Sequence, residues 1–165
     1  MLALTLYPEW AWAITHLDKR IENRSWKPIN LKPGDRLAIH SGKALKGGIA
    51  ALDRIDKMVV MAEQNGWDVE YDPFDGKTKD EWKHPLYFSK TTKYDLQQSH
   101  VFSAKQISTS SIVATVQFDG FVFGGPWYVP GSIGWSFSDV VVFTNPIEVK
   151  GKPGLWDYPL KSVAG

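Results

Sequence analysis

Lys19-Arg20-Ile21-Glu22-Asn23-Arg24-Ser25-Trp26 places four charges, an amide, a hydroxyl and an indole within eight residues. As a β-strand it puts Arg20, Glu22, Arg24 and Trp26 on one face, because strand side chains alternate. Lys19 and Glu22 are three apart, so they converge only if the chain turns near 19–20. The residues before it supply the other half of that corner. Pro8 and Glu9 suit a first helical turn, and Trp10, Ala13, Ile14 and Leu17 follow at helical spacing, which predicts a helix over about 9–18. Leu2 to Leu6 is a short apolar run stopped by Pro8 and reads as a buried strand.

Outward from the corner on the other side, Pro28 to Gly34 is a loop, with Lys32-Pro33-Gly34-Asp35 a strong turn signal. Arg36 to Ser41 alternates, Leu37 and Ile39 pointing inward, and reads as a strand. Ile49, Leu52, Ile55, Val59 and Ala62 predict a helix over about 47–65, closed by Asn65-Gly66. Residues 67–106 are polar and of mixed charge, yet contain Trp67, Tyr71, Phe74, Trp82, Tyr87 and Phe88. That many aromatics argues against disorder. The segment reads as an insertion of short strands and loops wrapped over one side of the core. Ile112 to Phe118 opens a strand that runs towards Phe123, and Trp135 to Phe143 forms another. Residues 145–149 continue it past Pro146, which implies an edge or a bend. The order of elements is not a regular βαβ alternation. It predicts an α+β fold, a small mixed β-barrel or curled sheet with flanking helices, as one domain over 1–165.

Composition limits the chemistry. There is no cysteine, which excludes disulfides, thiolate zinc sites and a cysteine nucleophile. His16, His84 and His100 show no ligand spacing, so a metal site is not expected, and no cofactor is expected either. No apolar run approaches the ~20 residues of a membrane span, and residues 1–18 lack a basic leader. The expectation is a soluble, cytoplasmic protein. Net charge is only +1, but residues 1–50 hold 8 Lys/Arg against 4 Asp/Glu while residues 51–100 hold 7 against 10. The basic excess lies in the part that contains Lys19–Trp26, which suits an anionic partner.

Taken together, Leu4-Thr-Leu-Tyr-Pro-Glu-Trp-Ala, Lys19-Arg-Ile-Glu22-Asn-Arg24-Ser-Trp26, Leu37-Ala-Ile-His40-Ser-Gly-Lys43, Ile112-Val-Ala-Thr-Val, Trp135 and the run from Pro146 to Trp156 resemble an ASCH domain, a member of the PUA-like superfamily. The family pattern Gly-x-Lys-x-x-Glu-x-Arg is met at Lys19, Glu22 and Arg24, with Leu17 in place of the glycine. The resemblance covers about 1–48 and 108–158. It implies a PUA-like β-barrel with a cleft on one side that binds RNA, single-stranded nucleic acid or a nucleotide. Some members are hydrolases. One group removes the acetyl amide of acetylated cytidine with a Lys, a Thr three residues later and a distant Glu. Here Glu22 stands where that Thr would be, and Glu148 and Asp119 are candidates for the carboxylate without a motif behind them. A related protein is a ribonuclease, which leaves RNA cleavage open.

The residues themselves suit these roles to different degrees. Lys19, Arg24 and Lys43 can neutralise phosphates, and Arg24 offers a planar fork. Arg24 can equally pair with Glu22 alone. Glu22 can accept from an exocyclic amine, as carboxylates do with cytosine, or serve as counter-ion to its neighbours. Trp26, with Trp127 and Tyr128 on a loop that Gly124 and Gly125 free to move, can stack on bases, while most of the other Trp are expected in the core. Ser25 and Ser41 complete the polar set. His40 ends a strand beside Ser41 and Lys43; the resemblance puts it near the cleft. If the protein is an enzyme, Lys19, Glu22 and His40 are the acid–base candidates. The alternatives are a protein-interaction adaptor built on 67–106 and a hydrolase in the same cleft.

Overall fold

The computed structural model describes residues 1–45, 49–71, 85–91, 93 and 96–159. The chain forms two compact units, one of Met1–Lys43 with Ser108–Gly165 and one of Ala44–Ile107.

The first unit is a mixed α+β structure around a six-stranded sheet. Its elements are β1 (Leu2–Leu6), α1 (Pro8–His16), β2 (Ile21–Arg24) and β3 (Arg36–Ser41). Within the other unit lie α2 (Ile49–Gln64), β4 (Asp68–Tyr71), β5 (Leu86–Thr91) and β6 (Gln97–Phe102). The chain then returns with β7 (Ser111–Val122), β8 (Ile133–Glu148) and β9 (Leu155–Asp157). The sheet order is β2-β8-β7-β3-β1-β9, and only β1 and β3 are parallel. A parallel neighbour needs a crossover, and the segment holding α1 and β2 provides it.

Alternation explains which side chains fill the core. Leu4, Leu6, Leu37 and Ile39 point to the face that carries Ala11 and Ile14 of α1, together with Ala114, Val116, Phe118 and Trp135. Ala3 and Ala38, one step out of phase, meet Ile112 and Trp156 in a smaller cluster. β1 and the centre of β3 are thus covered on both sides, which is why Leu2–Leu6 reads as an almost unbroken apolar run and Ala38 is apolar between Leu37 and Ile39. The pairing of β7 with β8 shifts register three times, and each such irregularity bends and twists a strand. Pro146 sits where Ile112 pairs with Ile147 but Ala114 with Val142, so the bend expected at the proline falls at one of these shifts. The result is a curled, half-barrel sheet. Its curl brings Arg24 of β2, at one side of the sheet order, within 3.1 Å of the Thr5 carbonyl of β1.

In the second unit, α2 buries Ala51, Ile55, Met58, Val59 and Ala62 on one stripe and ends at Gly66, whose φ of +90° suits a glycine after a helix. The antiparallel sheet β4-β5-β6 follows. This unit begins at Ala44 and so takes in α2, whereas the sequence reading drew its insertion at 67–106. Of the aromatics noted there, Trp67 and Phe88 are buried and Tyr87 is exposed; Phe74, Trp82 and the Tyr71 side chain lie outside the described residues. No helix among the described residues is long and apolar enough to cross a membrane.

Candidate functional site

The corner forms as the spacing predicts. Leu17 and Lys19 both donate backbone N–H to the Ala13 carbonyl, and Asp18 between them has φ +56°. Leu17, in place of the resembled family's glycine, has φ −110°, so the left-handed step falls on Asp18 and an L-residue at 17 is unstrained. The turn folds Lys19 back over β2. Its Nζ donates to the Ile21 carbonyl at 2.5 Å and to Glu22 Oε2 at 3.3 Å. The ammonium also lies 5.4 Å from the Trp10 ring centre, a cation–π distance. Lys19 is 2% exposed. Burial pushes its pKa below the ordinary 10.5; the Glu22 carboxylate opposes that shift, and Arg24 adds to it slightly.

Glu22 is shared. Its Oε1 lies 3.7 Å from Arg24 Nε, and the register sets it opposite Trp135. Arg24 then reaches across to β1, where Thr5 links the stretch to His40. Thr5 Oγ1 is 3.2 Å from His40 Nδ1 and accepts from Trp156 Nε1 at 2.9 Å. His40 Nε2 is 2.7 Å from the Val149 carbonyl. A carbonyl can only accept, so Nε2 carries a proton; in the neutral ring Nδ1 accepts from the Thr5 hydroxyl. His40 is 2% exposed and edge-on to Trp156, 5.6 Å between centres. Ser41 is buried and donates to the Ser108 carbonyl at 2.7 Å. These two residues hold the end of β3 against the chain that returns at 108–110 and at 149.

At this end of the sheet opens a groove of about 870 Å³, lined by Thr5, His40, Lys43, Ser110, Glu148 and the run Val149–Pro153. Three lysines, Lys43, Lys150 and Lys152, line it with one carboxylate, Glu148. All four are exposed. Gly151 lies so close to His40 that a Cβ there would run into the imidazole ring. Only glycine lets the backbone rest on the imidazole and carry a lysine on each side. Trp26 flanks the groove: a Cβ on Gly154, next to the groove residue Pro153, would lie 3.9 Å from the indole. Trp26 is 39% exposed, stands edge-on to Trp135 at 5.0 Å, and accepts from Trp135 Nε1 through its carbonyl. Ser25 beside it is exposed.

The aromatic loop is placed differently from its neighbours. Trp127 is 4% exposed, so no open ring face is available to a base, and Tyr128 spends its hydroxyl on the Ser132 carbonyl at 2.6 Å. Asn23 pins the loop twice, donating to the Trp127 carbonyl and accepting from Val129 N–H, both at 2.9 Å. Trp127 has φ +68° in a turn closed from Tyr128 N–H to the Gly125 carbonyl, a position that ordinarily takes glycine or asparagine. Its buried indole and the Asn23 clamp hold it there.

Of the residues named from sequence, Lys19, Glu22 and Arg24 are linked to one another and, through Thr5, to His40, while Lys43 lines the groove and Trp26 stands at its edge. Gly151 and Gly154 read in sequence only as bracketing a turn before Leu155-Trp156, and neither Lys150, Gly151 nor Lys152 was placed in the site. Their signal was present in the turn Lys150-Gly-Lys-Pro-Gly, two cations between backbone breakers at the end of a long strand. Among the described residues no three His, Asp or Glu gather as a metal site requires. No protein-family model matches the chain, and no curated protein is significantly similar to it.

Proposed function

We propose that this protein is an ASCH-type, PUA-like module that binds single-stranded RNA, or a nucleotide from it, in the groove at the ends of β1 and β3. Lys43, Lys150 and Lys152 take the phosphates, Trp26 stacks on a base at the rim, and Arg24 with Glu22 forms the polar wall behind it. The observation that carries this reading is the lysine-lined groove with a half-exposed indole at its edge. Cations that track a backbone and a ring that accepts any base are the two parts a sequence-tolerant single-strand site needs.

Binding is favoured over turnover by the state of the acid–base candidates. Both ring nitrogens of His40 are engaged, and Lys19 is covered by protein. One observation supports a hydrolase as the second reading: the lowered pKa of Lys19 is what an amine base would need. Mass spectrometry of the protein incubated with nucleosides and short RNA oligonucleotides separates the two. The binding reading expects RNA retained at unchanged mass. Shortened or deacylated products that disappear in Lys19→Ala would establish the hydrolase instead, and absence of any retained species would remove the binding reading.

A further inference from the structure

Beyond Trp26 lie two more rings, Phe121 half-buried and Phe123 exposed. Lys27 follows Trp26 directly, and its ammonium lies 5.2 Å from the Phe121 ring centre and 5.7 Å from that of Phe123. Phe123, just past the end of β7, is 64% exposed, although burial of an aromatic of this size is strongly favourable. The register explains why these rings gather. Phe121 pairs with Trp135, Trp135 pairs with Glu22, and Trp26 stands edge-on to Trp135. Phe121 and Trp26 therefore flank one buried indole, and Phe123 extends the row to the surface. The row begins at the groove, because Trp26 adjoins Gly154 and Gly154 follows Pro153.

We infer that Trp26, Lys27 and Phe123 form a stacking platform that carries a nucleic-acid strand out of the groove, so that the protein holds at least two consecutive nucleotides. Trp26 takes the base at the rim, Phe123 takes the next one, and Lys27, poised between the rings, meets the phosphate that joins them. A lysine set beside one exposed and one half-buried phenyl ring is a poor surface for an apolar protein partner, which would have to desolvate the ammonium. It suits a partner that alternates flat rings with negative charge. This inference rests on the groove reading above.

The test is fluorescence anisotropy with a labelled single-stranded RNA decamer, competed by a mononucleotide, on the full chain. Phe123→Ala is expected to weaken the decamer roughly five- to a hundred-fold and to lower the ratio of decamer to mononucleotide affinity. Phe123→Trp restores it, and Lys27→Ala reduces the salt dependence. Because Phe123 is largely exposed, circular dichroism should show its variants folded. If the decamer binds and Lys150→Ala weakens it while Phe123→Ala and Lys27→Ala do not, the platform is wrong and the groove stands. If the decamer does not bind the unmodified chain, both fall.

Discussion

Lys19 shows what the corner costs and how it is kept. A buried ammonium is tolerable only with a counter-charge and hydrogen bonds, and Glu22 and the Ile21 carbonyl supply them. Removing one side, as in Glu22→Ala, leaves an uncompensated buried charge and should cost about 3–5 kcal/mol in urea denaturation. The pH dependence has a definite sign. Unfolded, Lys19 titrates near 10.5; folded, its pKa is lower. Between those values the unfolded chain binds more protons, so folding stability rises with pH through that window. Lys19→Met should lack this rise, and parallel stability profiles for the two proteins would contradict the assignment. The convergence of Lys19 with Glu22 was legible from a three-residue spacing at a helix end. The burial of Trp127 was not, because the strength of a breaker-rich loop depends on Asn23, 104 residues away in sequence. A positive φ at a tryptophan gives no local signal at all.

The strands were legible at the level of elements wherever one period governed them. β3 was placed at Arg36–Ser41, and the helices fell within two residues of their observed ends or nearer. β8 was read as a strand continued beyond Pro146, and the register shift there shows how the continuation is made. What sequence could not supply was the pairing that brings residue 151 onto residue 40. That contact makes the connection before β9 the most sensitive element of the site. Gly151→Ala forces a Cβ into the His40 ring and should destabilise by about 1–3 kcal/mol, with loss of RNA affinity as the lysines on either side shift. In a His40→Ala background the same change meets less obstruction, so the two effects should be clearly non-additive in a double-mutant cycle. Additive costs would mean that Gly151 does not rest on His40.

The whole molecule is nearly neutral, at +1, yet its groove gathers three lysines against one glutamate. Charge counted along the sequence pointed to residues 1–50, which supply Lys43. Folding adds Lys150 and Lys152 from a segment more than a hundred residues later, in a third of the chain whose charges balance. The division into two units was visible only as a change of composition after the second helix, and the helix itself goes with Ala44–Ile107. The decisive experiment is the salt dependence of single-stranded RNA binding, compared between the unmodified chain and the triple variant Lys43→Ala, Lys150→Ala, Lys152→Ala. If these lysines hold the phosphates, log K falls with log salt and the slope shrinks by about 0.7 for each lysine removed, with affinity lost at low salt. Equal slopes and affinities for the two proteins, or no binding by the unmodified chain at low salt, would contradict it.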